Sequence, residues 1–96
     1  MKVVIAGAGR VGFNLAKYLA VGANDVTIID QSDDLLRRIS DTLDVQPILG
    51  YASHPEVLER AGAQEADLFV AVTGSDEVNI VACEVANSLF NVQKKI

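Results

Sequence analysis

The segment Val3–Gly12, with the sequence VVIAGAGRVG, decides the fold of this 96-residue chain. Its first four residues form a continuous apolar run, which predicts a buried strand, and apolar residues recur at helical spacing after its last glycine. The pattern G-x-G-x-x-G stands between that strand and that helix. Because this is the context in which the pattern binds a dinucleotide pyrophosphate, the segment predicts a phosphate-binding loop.

Each glycine of the pattern has a separate physical task. Gly7 would allow the tight turn, Gly9 would let a pyrophosphate approach the backbone, and Gly12 would let the helix pack against the strand. A second apolar run, Val26–Ile29, ends in Asp30, roughly 20 residues further on, where a carboxylate accepts hydrogen bonds from an adenosine ribose. The alternative is a glycine turn that only packs a helix on a sheet.

Composition and charge exclude several function classes. Half of the residues are apolar and 22% are charged, which is ordinary for one globular domain. The net charge of −5 and the lack of a Lys/Arg run argue against nucleic acid or anionic lipid as a partner. No apolar run approaches the ~18 residues of a membrane span. The single Cys83 excludes an internal disulfide, so a reducing cytoplasm is the expected location.

Strand and helix patterns alternate along the chain, which predicts an α/β fold with a parallel sheet and helices on both faces. Consecutive winding predicts the strand order 3-2-1-4. Pro47 agrees with this order, because proline cannot donate a ladder hydrogen bond and its strand should lie at an edge. The predicted strands are Lys2–Ala6, Val26–Asp30, Val45–Leu49 and Asp67–Thr73. The predicted helices are Arg10–Ala20, Asp33–Leu43, a short one through Val57 that ends at Gly62, and one from Ser75 to Asn91.

Serines are predicted to begin three of the helices, the last of them at Ser75. Ser32 would cap the second helix, and Ser53-His54-Pro55-Glu56 is typical of a capping box for the third. Val92–Ile96 would hang unpaired after the last helix. The buried face of that helix would comprise Val78, Val81, Ala82, Val85, Ala86 and Leu89.

Four segments together resemble a known family: Val4–Gly12, Asp30, Gly50 with Ser53-His54-Pro55, and Ala71–Glu77 (AVTGSDE). They are similar, essentially end to end, to the N-terminal domain of Trk potassium-uptake regulators, called a KTN, RCK or TrkA-N domain. The resemblance implies a Rossmann-like, non-enzymatic regulatory subunit that binds NAD or NADH, or ATP or ADP. It also implies a cytoplasmic homo-oligomer, peripheral on the inner face of the membrane, that controls a potassium-translocating membrane subunit.

The resemblance carries a ligand site over onto matching positions. Gly50 and Ser53 would border the adenine, Asp30 the ribose, and Thr73 the phosphates or the second ribose. Many relatives have an acidic residue where this chain has Tyr51, which leaves open the choice among adenine nucleotides. The pyrophosphate loop would comprise Gly7, Ala8, Gly9, Arg10, Val11 and Gly12.

Some side chains near this site have two interpretations. Arg10 either reaches a terminal phosphate or is a solvated first-turn arginine. Tyr51 either stacks near an adenine or covers the helix behind it. An NAD-dependent oxidoreductase is the alternative function, and it would need a positioned acid or base near the nicotinamide. His54 is the only histidine and the chain has no Tyr-x-x-x-Lys, which favours the regulator.

Residues 1–96 are expected to form the first part of a longer Rossmann-type domain, since the family's complete domain continues with further strands. Leu68–Val72 would then be an unpaired apolar edge, and such edges recruit other chains. We therefore expect the chain to associate as a symmetric dimer that buries the strand-four side or the face of the Val78–Leu89 helix.

Overall fold

The computed structural model describes residues 1–96 and contains a five-stranded parallel sheet of order β3-β2-β1-β4-β5. The predicted order 3-2-1-4 is confirmed, with a fifth strand added beside β4. No helix in this fold has both the length and the apolar content that a bilayer crossing demands. The strands are β1 (Lys2–Ala6), β2 (Asp25–Asp30), β3 (Gln46–Leu49), β4 (Leu68–Ala71) and β5 (Lys94–Lys95). The helices are α1 (Arg10–Ala20), α2 (Asp33–Thr42), α3 (Pro55–Arg60) and α4 (Asp76–Phe90), with a 3-10 turn at Ala63–Glu65.

The central strand β1 contributes side chains to two hydrophobic cores, one on each face of the sheet. Val3 and Ile5 enter the core under α1 and α2, whereas Val4 enters the core under α3 and α4 together with Phe69 of β4. All these side chains are completely buried, because β1 lies between β2 and β4 and is covered by helices on both faces. This double burial explains why the sequence of β1 is apolar throughout instead of alternating.

Strand β3 forms one edge of the sheet, as Pro47 predicts. It pairs with β2 alone, with Pro47 opposite Ile28. A proline in a central strand would remove a ladder hydrogen bond, and at the edge this cost is avoided.

The helix ends match most of the predicted caps. The Ser32 hydroxyl accepts a hydrogen bond from the Leu35 N–H at 3.3 Å, and Asn91 ends α4 in the left-handed conformation with φ of 55°. The capping box at Ser53 is wrong, because His54 takes the N-cap position and makes no side-chain cap. The following Pro55 favours an extended backbone at the residue before it, so the helix begins one residue later than the box requires.

The prediction that Val92–Ile96 hang free after α4 is wrong. Val92 is buried, and Lys94–Lys95 pair in parallel with Leu68 and Phe69. The Ile96 N–H donates to the Phe69 carbonyl oxygen at 2.9 Å. The left-handed turn at the end of α4 returns the chain to the sheet, so β4 has a neighbour on its outer side and the predicted open edge is wrong.

Helix α4 buries a narrower face than predicted. Ala82 and Ala86 are completely buried, but Val81 is 45% exposed and Leu89 is 63% exposed. Two alanines one turn apart let the helix contact the core through a thin stripe. The predicted burial of Val81 and Leu89 is therefore wrong, and these side chains face outward.

Candidate functional site

A cavity of about 300 Å³ lies at the carboxyl ends of the strands. The residues that end or follow β2, β3 and β4 all contribute to it, namely Asp30, Gly50 and Thr73. Ligands of open α/β sheets bind at this end, where the strand order reverses. Its lining comprises Ile29, Asp30, Gln31, Gly50, Tyr51, Ala52, Thr73, Gly74, Ser75 and Val78.

The lining carries one charged side chain, Asp30, and no cation. A cavity of this size and charge suits a neutral ring and hydroxyl groups, because a phosphate inside it would meet a carboxylate of like charge. The lining contains no histidine, lysine or cysteine, and its titratable side chains are Asp30 and Tyr51.

The glycine-rich loop beside this cavity is shaped by backbone contacts at two of its glycines. Gly7 has φ of +119°, and a Cβ there would lie 2.6 Å from the Val72 carbonyl oxygen. A Cβ on Gly12 would lie 1.7 Å from the Gly7 carbonyl oxygen. Gly9 is different, since it is exposed and a Cβ would meet nothing within 4 Å. The first and third glycines therefore serve close packing, while the second leaves open space over the loop.

The N-terminus of α1 has no capping side chain and no acidic residue of its own. Its N-cap is Gly9, which provides no side-chain acceptor, and its first turn contains no Asp or Glu. In α2 and α4, by contrast, Ser32 and Ser75 cap the backbone and acidic residues occupy the first turn. Among these three helices, α1 is thus the one whose first-turn N–H groups meet no side chain of the helix itself, and these groups can bind an anion.

Asp30 joins the cavity to the glycine-rich loop. Its Oδ2 accepts a hydrogen bond from the Ala8 N–H at 2.8 Å, and its Oδ1 accepts one from the Ser32 N–H at 2.8 Å. An ionised carboxylate has about four acceptor positions, so both oxygens retain capacity for a ligand hydroxyl. The carboxylate therefore holds the loop in place and still presents acceptors at the cavity.

Thr73 is fixed by a residue that the sequence analysis missed. The side-chain amide of Asn79 on α4 bonds to the backbone and the hydroxyl of Thr73. The sequence offered one signal, an asparagine one turn after the Ser75 cap, which is an unfavourable helix position unless its amide has partners.

The predicted site residues fall into two groups. Asp30, Gly50 and Thr73 share the cavity, and Ser53 lies outside its lining. Arg10 is exposed and forms no ion pair, and the loop residues Gly7–Gly12 border the cavity without lining it. Other lining residues were not predicted as a group, because they come from four separate segments: Ile29, Gln31, Ala52, Gly74, Ser75 and Val78.

Tyr51 lies at the rim of the cavity. Its side chain is 53% exposed, and its ring centroid lies 5.5 Å from that of His54, with the rings tilted by 38°. The imidazole therefore supports one side of the tyrosine and does not enter the cavity lining.

A second cavity of about 580 Å³ lies between α4 and the terminal residues Lys95 and Ile96. It contains the side chain of Cys83, whose thiol pKa is raised by burial, while the positive charge of Lys95 opposes that shift. The remaining lining residues are Ala71, Asn79, Ile80, Glu84 and Asn87.

The parallel sheet, the switch-point cavity and the glycine-rich loop define a Rossmann-type domain. The family model described as the TrkA-N domain matches residues 3–96. The chain therefore belongs to the TrkA-N family, a family of nucleotide-binding domains. This confirms the family suggested by the sequence motifs.

Curated relatives match the whole chain and are longer. The chain is 54% identical over 96 residues to the Trk system potassium uptake protein TrkA of Azorhizobium caulinodans, and 50% identical over 96 residues to that of Vibrio alginolyticus. Each alignment covers 100% of this chain and 21% of the relative. The chain thus spans about a fifth of the length of the curated relatives it matches.

Solved structures share the fold at low sequence identity. The Kef C-terminal domain of Shewanella denitrificans, solved in an AMP-bound form, has a TM-score of 0.84 and 24% identity, covering 98% of this chain and 57% of that chain. The NAD(P)-binding domain of an exopolyphosphatase-related protein from Archaeoglobus fulgidus has a TM-score of 0.82 and 14% identity, covering 96% and 68%. These likenesses confirm the predicted fold.

Proposed function

We propose that this chain binds an adenine nucleotide, NAD or NADH first among them, across the cavity and the glycine-rich loop. The observation that carries this proposal is the hydrogen bond from the Ala8 N–H to the Asp30 carboxylate. It joins the cavity, which suits a neutral ligand group, to the loop that leads into the uncapped N-terminus of α1. A nucleotide has the matching division into a neutral nucleoside and an anionic phosphate group. The AMP bound to the Kef domain, a protein of the same fold, supports this ligand class.

Within this proposal the predicted residues divide the ligand between them. Asp30 accepts hydrogen bonds from the ribose hydroxyls, and Gly50 with Tyr51 borders the adenine. The phosphates lie over Gly9, where the backbone is open, and they interact with the N-terminus of α1. The pyrophosphate loop is Gly7, Ala8, Gly9, Arg10, Val11 and Gly12, and Ser53 and Thr73 complete the proposed site.

Asp30 also favours NAD(H) over NADP(H). A ribose 2′-phosphate would meet its carboxylate with like charge, and the two following residues, Gln31 and Ser32, supply no cation to offset it. ATP and ADP can make the same adenosine contacts as NAD. Any difference in affinity between these nucleotides therefore comes from their phosphates and, in NAD, from the second nucleoside.

The biological function that we infer is regulatory control of potassium uptake. The relatives are named as Trk system potassium uptake proteins. Of the histidine, lysine and tyrosine groups with which a dehydrogenase would move a proton, the cavity lining contains only Tyr51, which is 53% exposed. We propose that the longer protein is a cytoplasmic subunit, peripheral on the inner membrane face. Nucleotide binding would change the shape of its oligomer and thereby control a membrane subunit that translocates potassium.

A second copy of this chain is the proposed occupant of the outward face of α4. Ile80 and Ile96 are 70% and 72% exposed at the second cavity, which also contains both Glu84 and Lys95. A two-fold interface requires a surface that complements itself, and a face that carries both charge signs beside exposed apolar groups has the components for such pairing. The pairing of β5 with β4 leaves the helix face, and not the edge of β4, as the surface for this contact.

Calorimetric titration tests the nucleotide proposal. NAD, NADH, NADPH, ATP, ADP and AMP are titrated into the chain in parallel, with adenosine-free nicotinamide mononucleotide as the control ligand. We expect saturable binding of the adenosine-containing ligands, weaker binding of NADPH than of NADH, and none of the control. Equal binding of the control, or no binding of any adenosine ligand, would refute the proposal.

A further inference from the structure

The side chain of Asn79 makes three hydrogen bonds to one residue of the cavity wall. Its Oδ1 accepts from the Thr73 N–H at 2.9 Å and from the Thr73 hydroxyl at 2.6 Å, and its Nδ2 donates to the Thr73 carbonyl oxygen at 3.2 Å. One amide therefore binds the backbone donor, the backbone acceptor and the side chain of Thr73. Asn79 itself does not line the nucleotide cavity.

These contacts also fix the hydroxyl of Thr73. The oxygen lies 2.6 Å from Asn79 Oδ1 and 3.1 Å from the Ser75 carbonyl oxygen, and a hydroxyl has only one proton to donate. The shorter contact assigns that proton to Asn79. The hydroxyl oxygen in turn accepts a hydrogen bond from the Ser75 N–H at 3.2 Å. The contacts of Asn79 therefore fix the position of Ser75 as well as that of Thr73.

Asn79 thereby links the wall of the cavity to helix α4. Its own N–H donates to the Ser75 carbonyl oxygen at 3.0 Å within the first turn of that helix. Asparagine is less favourable than alanine inside a helix by several tenths of a kcal/mol, roughly 0.7 at most. The three bonds to Thr73 offset that cost and give the position a function beyond helix formation.

We infer that Asn79 is a positioning residue for nucleotide binding: it holds the segment Thr73–Ser75 in the shape that closes one side of the cavity. This inference rests on the proposed function, since it assumes that the cavity takes the nucleoside. Loss of the amide frees the Thr73 backbone and lets its hydroxyl turn to other partners. The opposite side of the cavity, at Asp30 and Gly50, keeps its own contacts.

Four variants test this inference by two independent measurements. Asn79→Ala removes all three bonds to Thr73, Thr73→Val removes the hydroxyl contact alone, and a double variant combines the two changes. Asn87→Ala changes an exposed asparagine on the same helix, whose amide contacts only Lys95. The first measurement is amide hydrogen exchange at Thr73 and Ser75 in the ligand-free chain. The second is calorimetric affinity for AMP and NAD.

We expect Asn79→Ala to raise exchange at both amides and to weaken both nucleotides at least tenfold. Thr73→Val leaves both backbone bonds of Asn79 in place, so it should weaken the two nucleotides less than Asn79→Ala does. Adding it to Asn79→Ala should weaken them little further, because the hydroxyl contact with Asn79 is already lost. Asn87→Ala should stay within about twofold of the unaltered chain, a difference of roughly 0.4 kcal/mol. Should Asn79→Ala not fold, Thr73→Val examines the same bond.

Unchanged exchange at Thr73 and Ser75 would overturn the inference whatever the nucleotide data. Raised exchange with unchanged affinity would overturn it too, because the wall would then be ordered without serving the ligand. If the unaltered chain binds no nucleotide, the proposed function fails, and with it the binding part of this inference. The exchange data would still decide whether Asn79 holds the wall.

Discussion

The Asp30 carboxylate accepts a hydrogen bond from the Ala8 N–H at 2.8 Å, and this contact joins the end of β2 to the loop after β1. The same carboxylate accepts from the Ser32 N–H, at the point where α2 begins. One side chain thus orders the loop, the helix start and the cavity between them. A change at Asp30 should therefore affect ligand choice and loop order together.

Replacing Asp30 by alanine tests this dual role. We expect NADH binding to weaken by about 1–3 kcal/mol, because hydrogen bonds to a charged group are lost. The preference for NADH over NADPH should shrink, since the like charge facing the 2′-phosphate is gone, and amide exchange at Ala8 should rise. Calorimetry and hydrogen exchange measure these effects. Asp25→Ala, at the exposed opposite end of β2, is the matched control. An unchanged NADH/NADPH ratio would contradict the role of Asp30.

Substitution of Gly9 and of Gly12 should separate ligand binding from folding. Gly9→Val should abolish nucleotide binding and leave the fold intact, because the side chain would fill only the open space above the loop. Gly12→Ala should lower the free energy of unfolding by roughly 1–3 kcal/mol or more, since its Cβ would overlap the Gly7 carbonyl oxygen. Circular dichroism during urea unfolding measures the stability of each variant, and calorimetric titration measures its nucleotide affinity. Equal destabilisation by the two changes would contradict this division.

The reaction of Cys83 with iodoacetamide should require a higher pH in the folded chain than in urea. Burial raises the pKa of this thiol more than the nearby Lys95 lowers it, and the thiolate is the reactive form. The raised pKa stabilises the fold below the unfolded pKa, and this contribution disappears as the pH rises through the folded pKa. Alkylation rates followed by mass spectrometry measure the shift. If the pH midpoint of alkylation in the folded chain were at or below that in urea, the predicted upward shift of the thiol pKa would be contradicted.

Ile80→Glu should weaken self-association without changing the fold. Ile80 is 70% exposed on α4 at the second cavity, and a carboxylate there would be repelled by the nearby Glu84 of either copy. Sedimentation velocity at micromolar concentration, with and without NADH, measures the change. Val21→Glu is the control, because Val21 is 86% exposed after α1 on the other face of the sheet. An unaltered chain that is monomeric in both conditions would refute the association through α4.

The sequence by itself determined the order of the strands and the conformation of the loop. An uninterrupted apolar run, three spaced glycines and a proline in the third strand act locally: they predict a buried central strand, a tight turn and an edge. Pro47 lies at that edge and Gly7 has the positive φ that the turn needs. These features could be predicted because each depends on the conformational range of one residue and its close neighbours.

Asp30, Gly50 and Thr73 could be predicted as site residues, but only the tertiary structure decided which further residues share their cavity. Gln31, Ala52 and Val78 join them because the parallel strands end at one edge of the sheet and α4 begins beside it. Tertiary contacts also decided the return of Lys94–Lys95 to β4 and the outward orientation of Val81. The hydrogen bonds between Asn79 and Thr73 depend on how α4 is rotated against the sheet. The hydrophobic periodicity of the sequence does not define that rotation precisely enough to predict a single hydrogen bond. Local chemistry therefore fixed the framework, and the packing of helix on sheet fixed the site.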